Sequence, residues 1–130
     1  MTDQECKDAI VTFGAALGDM SRAMVVINKH WWTSPHTGDT IQRNVGELLM
    51  LTVSELAEGM EGHRKGLFDD HLPHFPMLTV ELADAIIRIL DMGGNLNLSI
   101  DRAFIDKMAY NAVRADHKAE NRILPGGKAY

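Results

Sequence analysis

Two short acidic pairs limit what this chain can become. Glu55-Leu-Ala-Glu58 and Glu81-Leu-Ala-Asp84 each set two carboxylates three residues apart inside an otherwise apolar, helix-forming run. At about 3.6 residues per turn, positions i and i+3 share a helical face, so each pair aims both carboxylates the same way. Each pair is expected to supply half of an oxygen-rich cation site. The 22 residues between the pairs include the breaker-rich segment from Gly66 to Pro76, long enough to reverse the chain and set the second helix antiparallel to the first. The four acids are therefore expected to converge. Glu55 interrupts the aliphatic run of Leu48, Leu49, Leu51, Val53 and Leu56, where an unpaired carboxylate costs several kcal/mol or takes up a proton.

The remaining pattern is helical throughout, with no strand alternation and no internal repeat. Thr2-Asp-Gln-Glu5 reads as a capping box opening a first helix that continues to about Trp31. Its apolar stripe is Ile10, Phe13, Leu17, Met20, Met24 and Ile27. Gly14 and Gly18 interrupt it, each costing about 1 kcal/mol relative to alanine, which suggests a close helix approach. Thr33 to Gly38 is a loop on composition, and Asp39 with Gln42 suits the cap of a second helix running to about Lys65. A third helix begins near Pro76 and ends at Gly93-Gly94 or continues to Leu96 or Leu98. In its middle, Glu81, Asp84, Arg88 and Asp91 form one strip roughly 80° wide, with aliphatic residues around most of the rest. Arg88 and Asp91 read as a structural ion pair. Ser99 suits the cap of a fourth helix, whose apolar side is Ile100, Phe104, Ile105, Met108 and Val113. The expected fold is all-α, a four-helix bundle-like subunit formed by a single domain over residues 1–118, with an irregular tail at 119–130. A third helix so apolar wants more cover than three partners give, so a homo-oligomer is expected, a dimer or a dimer of dimers.

Composition narrows the classes further. A chain of 130 residues has room for one core. With 45% hydrophobic and 24% charged residues, it is ordinary for a soluble domain. A net charge of −5 argues against a surface for nucleic acid polymers, which takes a basic face. Cys6 is the only cysteine, so there is neither an internal disulfide nor a cysteine-based zinc site, and a reducing cytoplasm is the expected location. The first residues lack the basic and apolar regions of a signal peptide. No apolar run is expected to approach the ~20 residues that span a bilayer, so no membrane partner is expected. Pro73 spoils His71-Leu-Pro-His74 as a metal pair, and the two read as surface histidines.

Four carboxylates without an obligatory nitrogen or sulfur ligand describe a site for a hard cation, magnesium first, with manganese able to substitute. Magnesium is commonly held by a few carboxylates together with substrate phosphates. A di-iron bundle would want Glu-x-x-His pairs, and none follows these acids. The pattern E-x-x-E, 22 residues, E-x-x-D resembles the MazG-like, all-α nucleoside triphosphate pyrophosphohydrolase superfamily, which includes dimeric dUTPases and dCTP pyrophosphatases. Leu48 to Glu58, Val80 to Asp91 and Lys107-Met-Ala-Tyr-Asn-Ala-Val-Arg114 resemble its metal helices and its K-x-x-x-N-x-x-R segment, so the resemblance covers roughly residues 25 to 115. It implies an enzyme that cleaves a (d)NTP with water at the α-phosphorus, giving (d)NMP and pyrophosphate. Glu55, Glu58, Glu81 and Asp84 would hold Mg2+, and Glu55 or Glu58 would accept the water's proton. Lys107, Asn111 and Arg114 would contact phosphate and sugar, while Trp31 and Trp32, beside Asn28, would stack on the base. After Arg114 the chain departs from that pattern. The alternative reading is a non-catalytic helical module that binds nucleotide or a partner protein through the same groove.

Overall fold

Thr2 and Glu5 close the capping box that the sequence predicts. The Thr2 hydroxyl accepts from the Glu5 N–H at 3.2 Å, and the Glu5 carboxylate accepts from the Thr2 N–H at 2.6 Å, satisfying donors that a helix start leaves free. The helix they open, α1, spans Asp3–Ile27. In this computed structural model, which describes residues 1–129, four more helices follow: α2 Val45–Lys65, α3 Met77–Asn95, α4 Ile100–Val113 and α5 Ala119–Arg122. Among the described residues there is no strand, only isolated bridges of Thr33 with Thr40 and Phe68 with Pro76. The chain is all-α. The short α5 falls in the stretch read as an irregular tail, whose last residue, Tyr130, lies outside the described residues.

Several boundaries differ from expectation, each for a local reason. After Ile27 the chain tightens into a 3-10 turn, Lys29–Trp31, so α1 does not continue to Trp31. α2 is capped by Asn44, whose Oδ1 accepts from the Glu47 N–H at 3.1 Å, and not by Asp39. The Asp39 carbonyl instead accepts from the Ser34 N–H at 2.7 Å, and the Trp32 carbonyl from the Ile41 N–H at 3.0 Å. This backbone pairing holds the stretch before Asn44 out of the helix. α2 closes on Gly66, whose φ of 63° is open to glycine at little cost, with the Leu67 N–H reaching back to the Gly62 carbonyl at 2.9 Å. Gly93-Gly94 does not end α3. A Cβ on Gly94 would overlap the Ser21 carbonyl of α1, so this glycine permits close approach inside a continuing helix. Ser99 stands at the cap of α4 without making a side-chain bond.

α1 also corrects an expectation about apolar length. It holds an 18-residue window of mean hydropathy 1.5, enough by length and composition alone to cross a bilayer. Part of that apolar surface is used for helix contacts.

The chain divides into two compact units. One comprises Met1–Gly18 and Ser99–Tyr130. In it the Phe13 ring meets Phe104 edge-on at 5.2 Å, and Ile105 lies where a Cβ on Gly14 would stand. The other is Asp19–Leu98. In it α2 and α3 run antiparallel, as the chain reversal between the acidic pairs predicts: Gly62 faces Met77, Gly59 faces Leu78 and Glu81, and Glu55 reaches Arg88. A Cβ on Gly62 would sit 2.7 Å from the Met77 Cβ, so the Met77 side chain packs directly on the bare glycine backbone of α2. Trp32, Leu48 and Met92 form the core of this unit, with Leu96 against them. Large apolar side chains remain outside it. Leu49, Met50, Val53, Leu56 and Met60 of α2 and Leu82, Ile86, Ile87 and Ile89 of α3 are each 41% to 61% exposed.

Gly62→Ala is expected to destabilise the protein by about 1–3 kcal/mol, because the added methyl overpacks the Met77 side chain from its Cβ outward. Thermal unfolding followed by circular dichroism would show a lowered midpoint; an unchanged midpoint would contradict this account of the α2–α3 contact.

Candidate metal centre

The glycine contact between α2 and α3 brings acids from both helices to one point. Glu55 from α2 and Glu81 and Asp84 from α3 each offer a carboxylate oxygen, all within 4.8 Å of one another. Glu55 and Glu81 are buried, at 8% and 7% exposure, and Asp84 is half-buried. The i, i+3 spacing of Glu81 and Asp84 does what the sequence predicts, turning both toward α2. Glu58, the fourth acid of the motif, is exposed and stands outside this group, although its charge still bears on Glu81. Three of the four acids converge.

Crowding changes their chemistry. Burial pushes the Glu81 carboxyl up to about 7, helped by a hydrogen bond with Glu55 and by the charges of Glu58, Glu55 and Asp84. Asp84 is raised as well, first by burial and then by the Glu55 charge, with Asp69 of the α2–α3 loop adding to it and Arg88 opposing it. The cluster therefore holds on to protons when no cation is present. Its donors are all hard oxygen atoms, which fits magnesium or manganese and not a soft metal.

Arg88 and Asp91 do not pair with each other. Arg88 donates from Nε to Glu55 Oε1, while buried Asp91 accepts from the Trp32 indole N–H at 2.9 Å and from the Asn95 amide at 3.1 Å. Two neutral donors thus fix Asp91 in the core, leaving Arg88 to lean across to α2 as the one positive group bonded to the cluster. Glu61 is turned away toward Lys65 and Arg64 of its own helix.

Beside the acids lies a cleft of about 470 Å3. Glu55, Asp84, Arg88 and Asp91 supply its charged wall, Leu51 and Ile87 its apolar wall, and Asn28, Trp31 and Arg43 the chain preceding α2. The two tryptophans have separated roles. Trp31 is 62% exposed and lines the cleft; Trp32 is 7% exposed, in the core. Arg43 is the cleft residue that sequence reasoning missed, since a single arginine before a helix cap carries no motif.

Lys107, Asn111 and Arg114 belong to the other compact unit. Lys107 and Arg114 lie over the Tyr110 ring at 4.9 and 5.5 Å. Arg114 stands at the C-cap of α4 and grips Asp116 with two bonds, at 2.8 and 2.5 Å. Asn111 has a buried Oδ1 without a hydrogen-bond partner.

The raised Glu81 carboxyl fixes a sign. Folded protein binds its proton more tightly than the unfolded chain does, so the stability that Glu81 contributes is fully present below its ordinary value of 4.5 and is lost as pH rises from there toward 7. The melting temperature of metal-free protein is expected to drop between pH 5 and 8, and Glu81→Gln to flatten that slope. A midpoint that rises or holds level over this window in the wild type would contradict the crowding. Compared with protein-family models, curated proteins and solved structures, the chain matches none.

Proposed function

We propose that this protein is a cytoplasmic, Mg2+-dependent nucleoside triphosphate pyrophosphohydrolase of MazG-like type, converting a (d)NTP and water into (d)NMP and pyrophosphate. The observation that carries the reading is the convergence of Glu55, Glu81 and Asp84 from antiparallel helices beside a cleft that also presents Trp31. The donor set suits Mg2+, with Mn2+ able to substitute. When bound, the ion would neutralise the triphosphate and lower the pKa of water.

The chain's own residues account for the rest. Glu55, Glu81 and Asp84 hold the cation, and Glu58, exposed one turn along α2, joins them or, like Glu55, accepts a proton from the attacking water. Trp31 offers an exposed ring on which a base stacks, with Asn28 lining the same cleft. The roles of Lys107, Asn111 and Arg114 in contacting phosphate and sugar rest on their resemblance to the K-x-x-x-N-x-x-R segment. The exposed aliphatic side chains of α2 and α3 support a homodimer or homotetramer that buries them in a bundle-like core.

One observation favours a second reading. Arg88 already bonds to Glu55, so part of the acidic charge is met without any metal, as in a helical module that binds nucleotide or a partner protein without turnover. Incubation with each dNTP and Mg2+ separates the two. Pyrophosphate release is expected from the wild type and a loss of at least about 100-fold from Glu55→Gln and Asp84→Asn, with circular dichroism unchanged. Saturable nucleotide binding without pyrophosphate from the wild type, or release that survives both substitutions, would overturn the enzyme assignment.

A further inference from the structure

The cleft contains a guanidinium that no carboxylate neutralises. Arg43 is half-buried on the segment leading into α2 and lines the same cleft as Glu55, Asp84 and Asp91, yet it forms no ion pair among the described residues. Each nearby acid is engaged elsewhere: Glu55 with Arg88, Asp91 with Trp32 and Asn95, and Asp84 in the acidic cluster. Arg43 is held by a ring instead. Its guanidinium carbon lies 5.4 Å from the Trp32 ring centroid, a cation–π arrangement, and that ring is fixed by burial and by its N–H bond to Asp91.

A planar fork with five donors, stacked on an immobile ring in a cleft, is ordered before any ligand arrives and is short of acceptors. Tetrahedral phosphate oxygens match that fork in charge and geometry. We infer that Arg43 is a substrate-binding residue that grips the polyphosphate chain of the nucleotide, with Trp32 holding its guanidinium in place. The inference rests on the function proposed above, and it gives buried Trp32 a part beneath the substrate instead of against the base.

Two substitutions test it. Arg43→Met keeps the apolar stem over Trp32 and removes the fork; Arg43→Lys keeps the charge and removes the bidentate geometry. With the best dNTP, Arg43→Met is expected to raise KM about tenfold, the loss of one charge-assisted contact, with kcat changed much less. Inorganic tripolyphosphate with Mg2+, titrated calorimetrically, is expected to bind the Met variant about tenfold more weakly, with the Lys variant in between. A KM and a tripolyphosphate affinity both unchanged in Arg43→Met would overturn the inference while leaving the enzyme assignment standing. Wild-type protein that releases no pyrophosphate but binds tripolyphosphate through Arg43 would overturn the enzyme assignment alone.

Discussion

Three carboxylates share a space in which water screens them poorly, and much of this protein follows from how that is tolerated. Two unit charges within 4.8 Å of each other repel by at least about 3 kcal/mol at an effective dielectric of about 20, and burial adds to the cost of ionising them. The protein answers in two ways. Burial and the neighbouring acids push the Glu81 carboxyl up to about 7, and Arg88 leans across from α3 to Glu55. One guanidinium cannot balance three acids, and the remaining charge is what a doubly charged cation would meet in the proposed function.

The helices can crowd these acids because two glycines of α2 take α3 side chains directly against the α2 backbone. Gly59 and Gly62 leave room for the side chains of Glu81, Leu78 and Met77, so at these two points α2 and α3 pack with side chains from α3 alone. The same economy governs the other wall of the site. Trp32 fills the core beneath the segment before α2, ties Asp91 by its indole N–H and supports Arg43 on its ring. Core and cleft are thus joined through one aromatic side chain, while its neighbour Trp31 faces solvent. The aliphatic surface of α2 and α3 has no such answer within the subunit, and the proposed oligomer would supply it.

Local signals were legible in the sequence where chemistry acts over one turn of helix. The Thr2–Glu5 box, the helical stripes and the shared face of Glu81 and Asp84 need no knowledge of distant residues. The antiparallel return between the acidic pairs was also readable, because breakers cluster between Gly66 and Pro76. Tertiary competition hid the rest. Asp39 has a capping side chain, but its carbonyl is recruited by the Ser34 N–H and the cap passes to Asn44. Arg88 and Asp91 have helical pairing distance, yet Trp32, 59 residues away, claims Asp91. Glu58 matches its motif in spacing but stays exposed and outside the group that converges, near enough for its charge to reach Glu81. Arg43 had no periodicity or pair to announce it, and its importance comes wholly from what the fold sets beside it.

Direct cation binding tests the central claim most simply. Mn2+ titrated into metal-free protein at pH 6.5, with free Mn2+ followed by electron paramagnetic resonance and proton release by pH-stat, reports occupancy and the charge state of the acids together. The account predicts saturable binding accompanied by release of protons, weakened at least about tenfold when a carboxylate is replaced in Glu81→Gln. Manganese that stays free at millimolar concentration, or binds equally well to Glu81→Gln and Asp84→Asn, would contradict it.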